Sequence, residues 1–242
     1  MSIVKQQQLY KGKAKTLYAT NDASKLVVSF RDDATAFDGE KKAVLANKGI
    51  INQQISNHLM TLLQENDIPT HFIEQISATE SIIKHLKMLP IECVVRNYAA
   101  GSLCRRLGMQ SGVKLVRPLF ELFYKNDELH DPLINEEHVL LFQWADEQQL
   151  EAMKTYSMTI NEILAKRFME IGLLLIDAKY EFGVYDGAVI LGDEISPDSC
   201  RLWDSQTLKP LDKDRFRHDM GEVISSYREI AERLNVGGVI IS

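Results

Sequence analysis

A mixed fold of antiparallel strand pairs and long helices is predicted by two patterns that occupy separate stretches of the chain. Alternating segments joined by tight turns mark antiparallel strand pairs: residues 9–18 with 25–31 around Asn21-Asp22, and residues 173–185 with 189–191 around Asp186-Gly187. Apolar stripes at three- and four-residue spacing mark two long helices. One carries Ile51, Ile55, Leu59, Leu62 and Leu63; the other carries Leu150, Met153, Ile160, Leu164, Phe168 and Ile171.

In chain order, Leu-Tyr-Lys-Gly-Lys-Ala-Lys-Thr-Leu-Tyr (residues 9–18) reads as one weakly alternating strand. Gly12 stands where a side chain would hinder the approach of a ligand to the backbone. Lys11, Lys13 and Lys15 are expected on one face. Such a hairpin can cover nucleotide phosphates; a solvated lysine face is the competing reading. Residues 31–39 read as a loop of small and acidic residues. The first long helix should stop near Asn66, ahead of Pro69. A strand near 71–73 and a short helix over 80–86 follow.

Residues 88–98 form a strand that Pro90 can start. Ile91, Cys93 and Val95 share one face; Glu92, Val94 and Arg96 share the other. Ala99-Ala100-Gly101-Ser102 turns into a short helix with Ser102 as N-cap and Gly108 near its end. An arginine beside a helix N-terminus suits an anion, whereas the bland reading pairs Arg96 with Glu92 and leaves Ser102 as a cap. Residues 118–124 make an apolar strand that ends in Lys125-Asn126-Asp127. Asp146 and Gln149 form a capping box for the second long helix. Val223, Tyr227, Ile230 and Leu234 stripe a last helix.

The 242 residues suit one large domain or two small ones closely packed. A net charge of −6 argues against a general nucleic-acid binder, but leaves room for a local basic pocket. Cys93, Cys104 and Cys200 are odd in number and lack metal-ligand spacing, so reduced thiols and a cytoplasmic setting are expected. The first residues lack the apolar core of a signal peptide, and no apolar run approaches the roughly 20 residues that span a bilayer.

The most informative stretch is residues 173–193. Asp177, Lys179 and Glu181 alternate with Ala178, Tyr180 and Phe182, so the three charges share a strand face. A two-residue turn through Asp186-Gly187 sends Asp193 to the opposite face. A three-residue loop with a bulge shifts the register by one and brings Asp193 to the same face. Carboxylates converging at an open position can hold Mg²⁺ together with phosphate oxygens; a charged solvent face is the alternative. The shared-metal reading predicts the longer loop.

Two long stretches together carry a family resemblance. Met88-Leu-Pro-Ile-Glu-Cys-Val-Val-Arg-Asn-Tyr-Ala-Ala-Gly-Ser102 and Leu191-Gly-Asp-Glu-Ile-Ser-Pro-Asp-Ser-Cys-Arg-Leu-Trp203 resemble the two signatures of SAICAR synthetases. Tyr10-Lys-Gly-Lys-Ala-Lys-Thr16 and Leu175-Ile-Asp-Ala-Lys-Tyr-Glu-Phe-Gly183 resemble further blocks of that family in the same order. Tyr98 departs from the basic residue, and Phe37 from the glycine, that many members carry.

The resemblance implies an antiparallel β N-terminal domain (1–88) packed on an α+β C-terminal domain (89–242), related to ATP-grasp and kinase-like architectures. It implies a ligase of purine biosynthesis, which joins L-aspartate to carboxyaminoimidazole ribonucleotide (CAIR) with ATP and Mg²⁺. A cytoplasmic homodimer with no membrane or nucleic-acid partner is expected. Gly12, Lys13, Ala14, Lys15, Glu92 and Lys125 would serve the nucleotide, and Glu181 and Asp193 the metal. Arg96, Ser102, Arg201 and Arg217 would bind the ribonucleotide. Asp38, Asp177 and Lys179 would stand beside the reacting groups. A kinase-like phosphotransferase and a non-catalytic nucleotide-binding module remain as alternatives. No nucleophilic Ser or Cys is needed, since phosphoryl transfer asks chiefly for charge neutralisation and alignment.

Overall fold

The computed structural model describes residues 2–36 and 39–236. The chain first forms β1 (Lys5–Lys11), β2 (Lys15–Thr20), β3 (Lys25–Phe30), β4 (Asp33–Ala36), β5 (Lys41–Val44), α1 (Lys48–Gln64), β6 (Phe72–Gln75) and β7 (Glu80–Lys84). It continues through β8 (Lys87–Tyr98), α2 (Ser102–Leu107), β9 (Lys114–Tyr124), β10 (Leu133–Ile134), α3 (Glu136–Leu141) and α4 (Glu147–Glu170). It closes with β11 (Leu173–Tyr185), β12 (Ala188–Leu191), β13 (Cys200–Asp204), α5 (Asp214–Arg217) and α6 (Val223–Arg233).

Three antiparallel sheets result, as the α+β reading requires. One has the order β1-β2-β3-β7-β6, a second pairs β4 with β5, and the third has the order β10-β9-β8-β11-β12. β13 joins the first half of β11 on the edge that β12 occupies further along.

The pleat gives the third sheet two unlike faces. Ile91, Cys93 and Val95 of β8 and Ala178, Tyr180 and Phe182 of β11 are buried in the main core. There they meet Leu150, Met153, Ile160, Leu164 and Phe168 of α4, together with Ile51, Ile55 and Leu59 of α1. Each fully buried apolar side chain contributes about 1.5–3 kcal/mol. The other face is left to the charged residues. The Asp146–Gln149 capping box forms as expected.

Four local expectations are corrected. Residues 9–18 are not one strand: a turn at Gly12-Lys13-Ala14 splits them into β1 and β2, with Gly12 N–H donating to Lys15 O at 2.9 Å. Residues 33–36 are a strand and not a loop. Residues 80–84 are a strand and not a helix, because the buried Ser81-Ile82-Ile83 run lies between β3 and β6. Pro90 lies inside β8 and does not start it. It is tolerated at the register shift opposite Glu181–Gly183, where the ladder is already interrupted.

The thiols give a simple check on the core. Burial pushes Cys93 and Cys200 up to about 12, while Cys104 on α2 is partly exposed. Since the thiolate is the nucleophile, iodoacetamide at mildly alkaline pH is expected to alkylate Cys104 alone in the folded protein. All three thiols should react after denaturation. Labelling of Cys93 or Cys200 without unfolding would contradict the core described here.

Candidate active site

Strand register assembles the polar face. Asp177 of β11 lies opposite Arg96 of β8 on one side and Arg201 of β13 on the other. Its carboxylate accepts from Arg96 Nη1 at 2.7 Å and from Arg201 Nη1 at 2.8 Å. Arg96 also donates to Glu121 of β9 at 2.6 Å and to Ser102 Oγ at 3.0 Å. Arg201 donates to Asp214 at 2.7 Å, and Arg217 donates to the other oxygen of Asp214 at 2.5 Å. Arg96, Ser102, Arg201 and Arg217, scattered over some 120 positions of sequence, thus form one hydrogen-bonded chain through Asp177 and Asp214.

Ser102 is the first residue of α2 and not its cap; Gly101 holds that position, and no side chain caps the helix. The Ser102 hydroxyl instead accepts from Arg96 and Arg106. Gly101 has φ +55, and a Cβ there would stand 2.6 Å from the Arg201 guanidinium. Glycine therefore lets the arginine lie against the backbone.

Further along β11, Glu181 lies opposite Glu92. Lys179 bridges the two, at 2.8 Å from Glu92 and 2.5 Å from Glu181, and Lys125, just past the end of β9, caps the second Glu181 oxygen. From the first sheet, Lys15 of β2 pairs with Asp193 and lies 2.9 Å from Glu194. Lys13 reaches Asp127 at 2.8 Å. Lys13 and Lys15 consequently do not share a strand face with Lys11: Lys13 sits in the turn, and Lys15 opens the next strand.

The hairpin after β11 differs from the expected bulged loop. Tyr185 pairs directly with Ala188, leaving a two-residue turn with Asp186 at φ 49 and Gly187 at φ 80. Both residues are left-handed, as a type I′ turn requires. Gly192 N–H donates to Glu181 O at 2.8 Å, the register of the short turn. Asp193 nonetheless joins the charged cluster, paired with Lys15 and close to Lys179 and Lys125. β12 ends at Leu191, so strand alternation no longer governs Asp193, whose own φ is 56. Asp tolerates that conformation better than most residues. A bridge from Thr70 to Leu191 ties this corner to the N-terminal half.

The electrostatics follow from the packing. Burial alone would raise the Asp193 carboxyl, but Lys15, Lys179 and Lys125 outweigh it and hold the group well below the usual carboxylate range. Burial likewise opposes the charge on Lys15 and Lys179, and their carboxylate partners reverse the balance, so both stay firmly protonated. Burial raises Glu92 despite Lys179. Burial and the nearby Lys15 lower the His71 imidazole to about 4, which leaves it neutral at pH 7. Among the described residues, no three His, Cys, Asp or Glu side chains are grouped to hold a metal unaided. Glu181 and Asp193 share the field of Lys125 and Lys179. Such a pair suits Mg²⁺, which keeps waters and phosphate oxygens as its remaining ligands.

Comparison with known proteins settles the family. A sequence model described as SAICAR synthetase matches residues 8–234. The chain belongs to the SAICAR synthetase family. A phosphoribosylaminoimidazole-succinocarboxamide synthase of Coxiella burnetii is 56% identical over 236 residues, 98% of both chains. The crystal structure of the synthase from Ehrlichia chaffeensis superposes with a TM-score of 0.93 at 44% identity, covering 95% of this chain and 99% of that one. A SAICAR synthetase in complex with ADP superposes at 0.91 with 45% identity, covering 94% and 97%.

Of the site residues expected from sequence, Asp38 lies outside the described residues. Gly12, Lys13, Ala14 and Lys15 occupy the β1–β2 turn and its exit, and the others lie on the polar face or its rim. Glu121, Asp214, Glu194 and Arg31 also contact these groups and are not among the site residues expected from sequence. Glu121 had a usable signal, a single charge inside the apolar Leu-Phe-Glu-Leu-Phe strand.

Proposed function

We propose that this SAICAR synthetase family member is an ATP-dependent ligase that joins L-aspartate to CAIR, giving SAICAR, ADP and phosphate. The observation that carries the reading is one sheet face with two adjoining charge clusters. One is rich in lysine and carboxylate, as nucleotide phosphates and a metal need. The other is a row of arginines suited to a phosphorylated ribonucleotide. The close relatives bearing the synthase name support the same reading.

The chemistry starts from a carboxylate, which acylates poorly because its leaving group is oxide. Transfer of the ATP γ-phosphoryl group to a CAIR carboxylate oxygen breaks the bond to ADP and makes an acyl phosphate. The aspartate amine attacks that carbonyl, loses a proton and expels phosphate. Lys13, Lys15 and Lys125 neutralise the nucleotide phosphates beside the Gly12 and Ala14 backbone, with Glu92 toward the adenosine. Arg96, Ser102, Arg201 and Arg217 hold the ribonucleotide. Asp177 fixes the two central arginines, Lys179 stands between the clusters, and Asp38 is assigned to the reacting groups. Glu181 and Asp193 would hold Mg²⁺, which supplies charge neutralisation at the phosphates.

The chain is further read as two units, 1–88 and 89–242, working in the cytoplasm as a homodimer. Among the described residues β10 pairs with β9 at Leu122 and Phe123 alone, which leaves an open strand edge where Val116 is fully exposed and supports self-association. Sedimentation gives the direct measurement.

The functional test is ADP release by purified protein with ATP, CAIR and aspartate. Release that depends on both acceptors is expected. Release without aspartate, leaving a stable phosphorylated product, would make the chain a phosphotransferase. Nucleotide binding without turnover would make it a binding module.

A further inference from the structure

Arg31 follows β3 and takes no part in the clusters above. Its contacts converge on the β1–β2 turn. Nη2 donates to the carbonyls of Gly12 at 2.7 Å and Lys13 at 3.3 Å, and the Arg31 backbone N–H donates to the carbonyl of Ala14 at 2.8 Å. Nη1 donates to the buried Thr16 hydroxyl at 2.7 Å, and Nε donates to Asp33 at 2.6 Å. The guanidinium is thus fixed from two sides before it meets the turn.

In a trans peptide the C=O and the following N–H point in opposite directions. Carbonyls of Gly12 and Lys13 drawn to Arg31 therefore turn the Lys13 and Ala14 amides away from it. Among the described residues neither amide donates a hydrogen bond. Successive free amides on a tight turn form an anion-binding concavity. Its value to a ligand lies in being set before binding.

We propose that Arg31 is a positioning residue of the nucleotide site, holding the carbonyls of the Gly12-Lys13-Ala14 turn inward so that its amides receive the phosphates. The proposal rests on the nucleotide reading of this turn. Arg31 acts through the backbone, and its planar fork reaches two carbonyls and a hydroxyl at once. A lysine keeps the charge but offers a single nitrogen.

The test is calorimetric titration of ADP and, separately, CAIR into wild type, Arg31→Lys and Arg31→Ala, with amide NMR of wild type. ADP should bind at least about tenfold more weakly to both variants, while CAIR affinity stays within about twofold. The Lys13 and Ala14 amide resonances of wild type should move downfield with ADP. If Arg31→Ala fails to fold, Arg31→Lys decides alone. Wild-type ADP affinity in Arg31→Lys, or equal losses for ADP and CAIR, overturns the proposal. So do unmoved Lys13 and Ala14 amides when wild type binds ADP, and that result leaves the nucleotide reading standing. Wild type that binds no ADP removes the nucleotide reading, and this proposal with it.

Discussion

Asp177→Asn is expected to cost about 3–5 kcal/mol of folding stability, although it changes side-chain volume little. Asp177 is only 4% exposed, and its carboxylate sits between Arg96, itself 3% exposed, and Arg201. Glu121 remains for Arg96, and Asp214 remains for Arg201 but is shared with Arg217. Neither can replace a carboxylate that lies opposite both arginines in the register of three strands. Urea denaturation should show the loss as a lower midpoint with an unchanged slope. Two under-paired guanidiniums are also an anion site. Added sulfate should therefore restore part of the loss in the variant beyond its general effect on wild type. A loss below about 1 kcal/mol would put the pair in the range of exposed ion pairs and show that Glu121 and Asp214 suffice.

That central position was legible only in part from sequence. The alternation over 173–185 put Asp177, Lys179 and Glu181 on one face, and the strand confirms it. The partners across the sheet depend on register, which local pattern does not specify. Arg201 is a neighbour of Asp177 because β13 returns beside the first half of β11 after a loop. Helices with stripes and caps were the clearest elements: α1 ends two residues short of Asn66, and α4 begins at its predicted capping box. The misread stretch at 80–86 contains two isoleucines that suit either state, and sheet burial decided between them. The turn at Gly12 was hidden because lysines on both sides of it continue a superficial alternation. The longer loop expected after Tyr185 is replaced by a short turn for a different reason: Asp193 is not a strand residue, since the chain leaves the sheet after Leu191 and turns through a left-handed conformation.

Glu181→Gln and Asp193→Asn are each expected to cut turnover by about 10²–10³-fold while the fold survives. In the lysine-rich cluster proposed for the nucleotide, Glu92, Glu181, Asp193 and Glu194 face Lys15, Lys125 and Lys179. Four carboxylates against three ammonium groups leave room for added positive charge. Lysines held by carboxylates are also the groups that phosphates would recruit. Nucleotide and Mg²⁺ therefore suit each other here: phosphates draw the lysines, and the released carboxylates receive the cation. Binding energies linked in this way are reciprocal. Wild type should bind ADP more tightly when Mg²⁺ is present. Each amide variant lacks one anionic ligand and should lose most of that enhancement, while affinity for metal-free ADP holds or rises because Lys15, or Lys125 with Lys179, is freed. Calorimetry of ADP with and without Mg²⁺ reads this difference independently of turnover, and circular dichroism checks the fold. If both variants keep the wild-type Mg²⁺ enhancement, the metal is held elsewhere, and Glu181 and Asp193 serve only as counter-ions to the lysines.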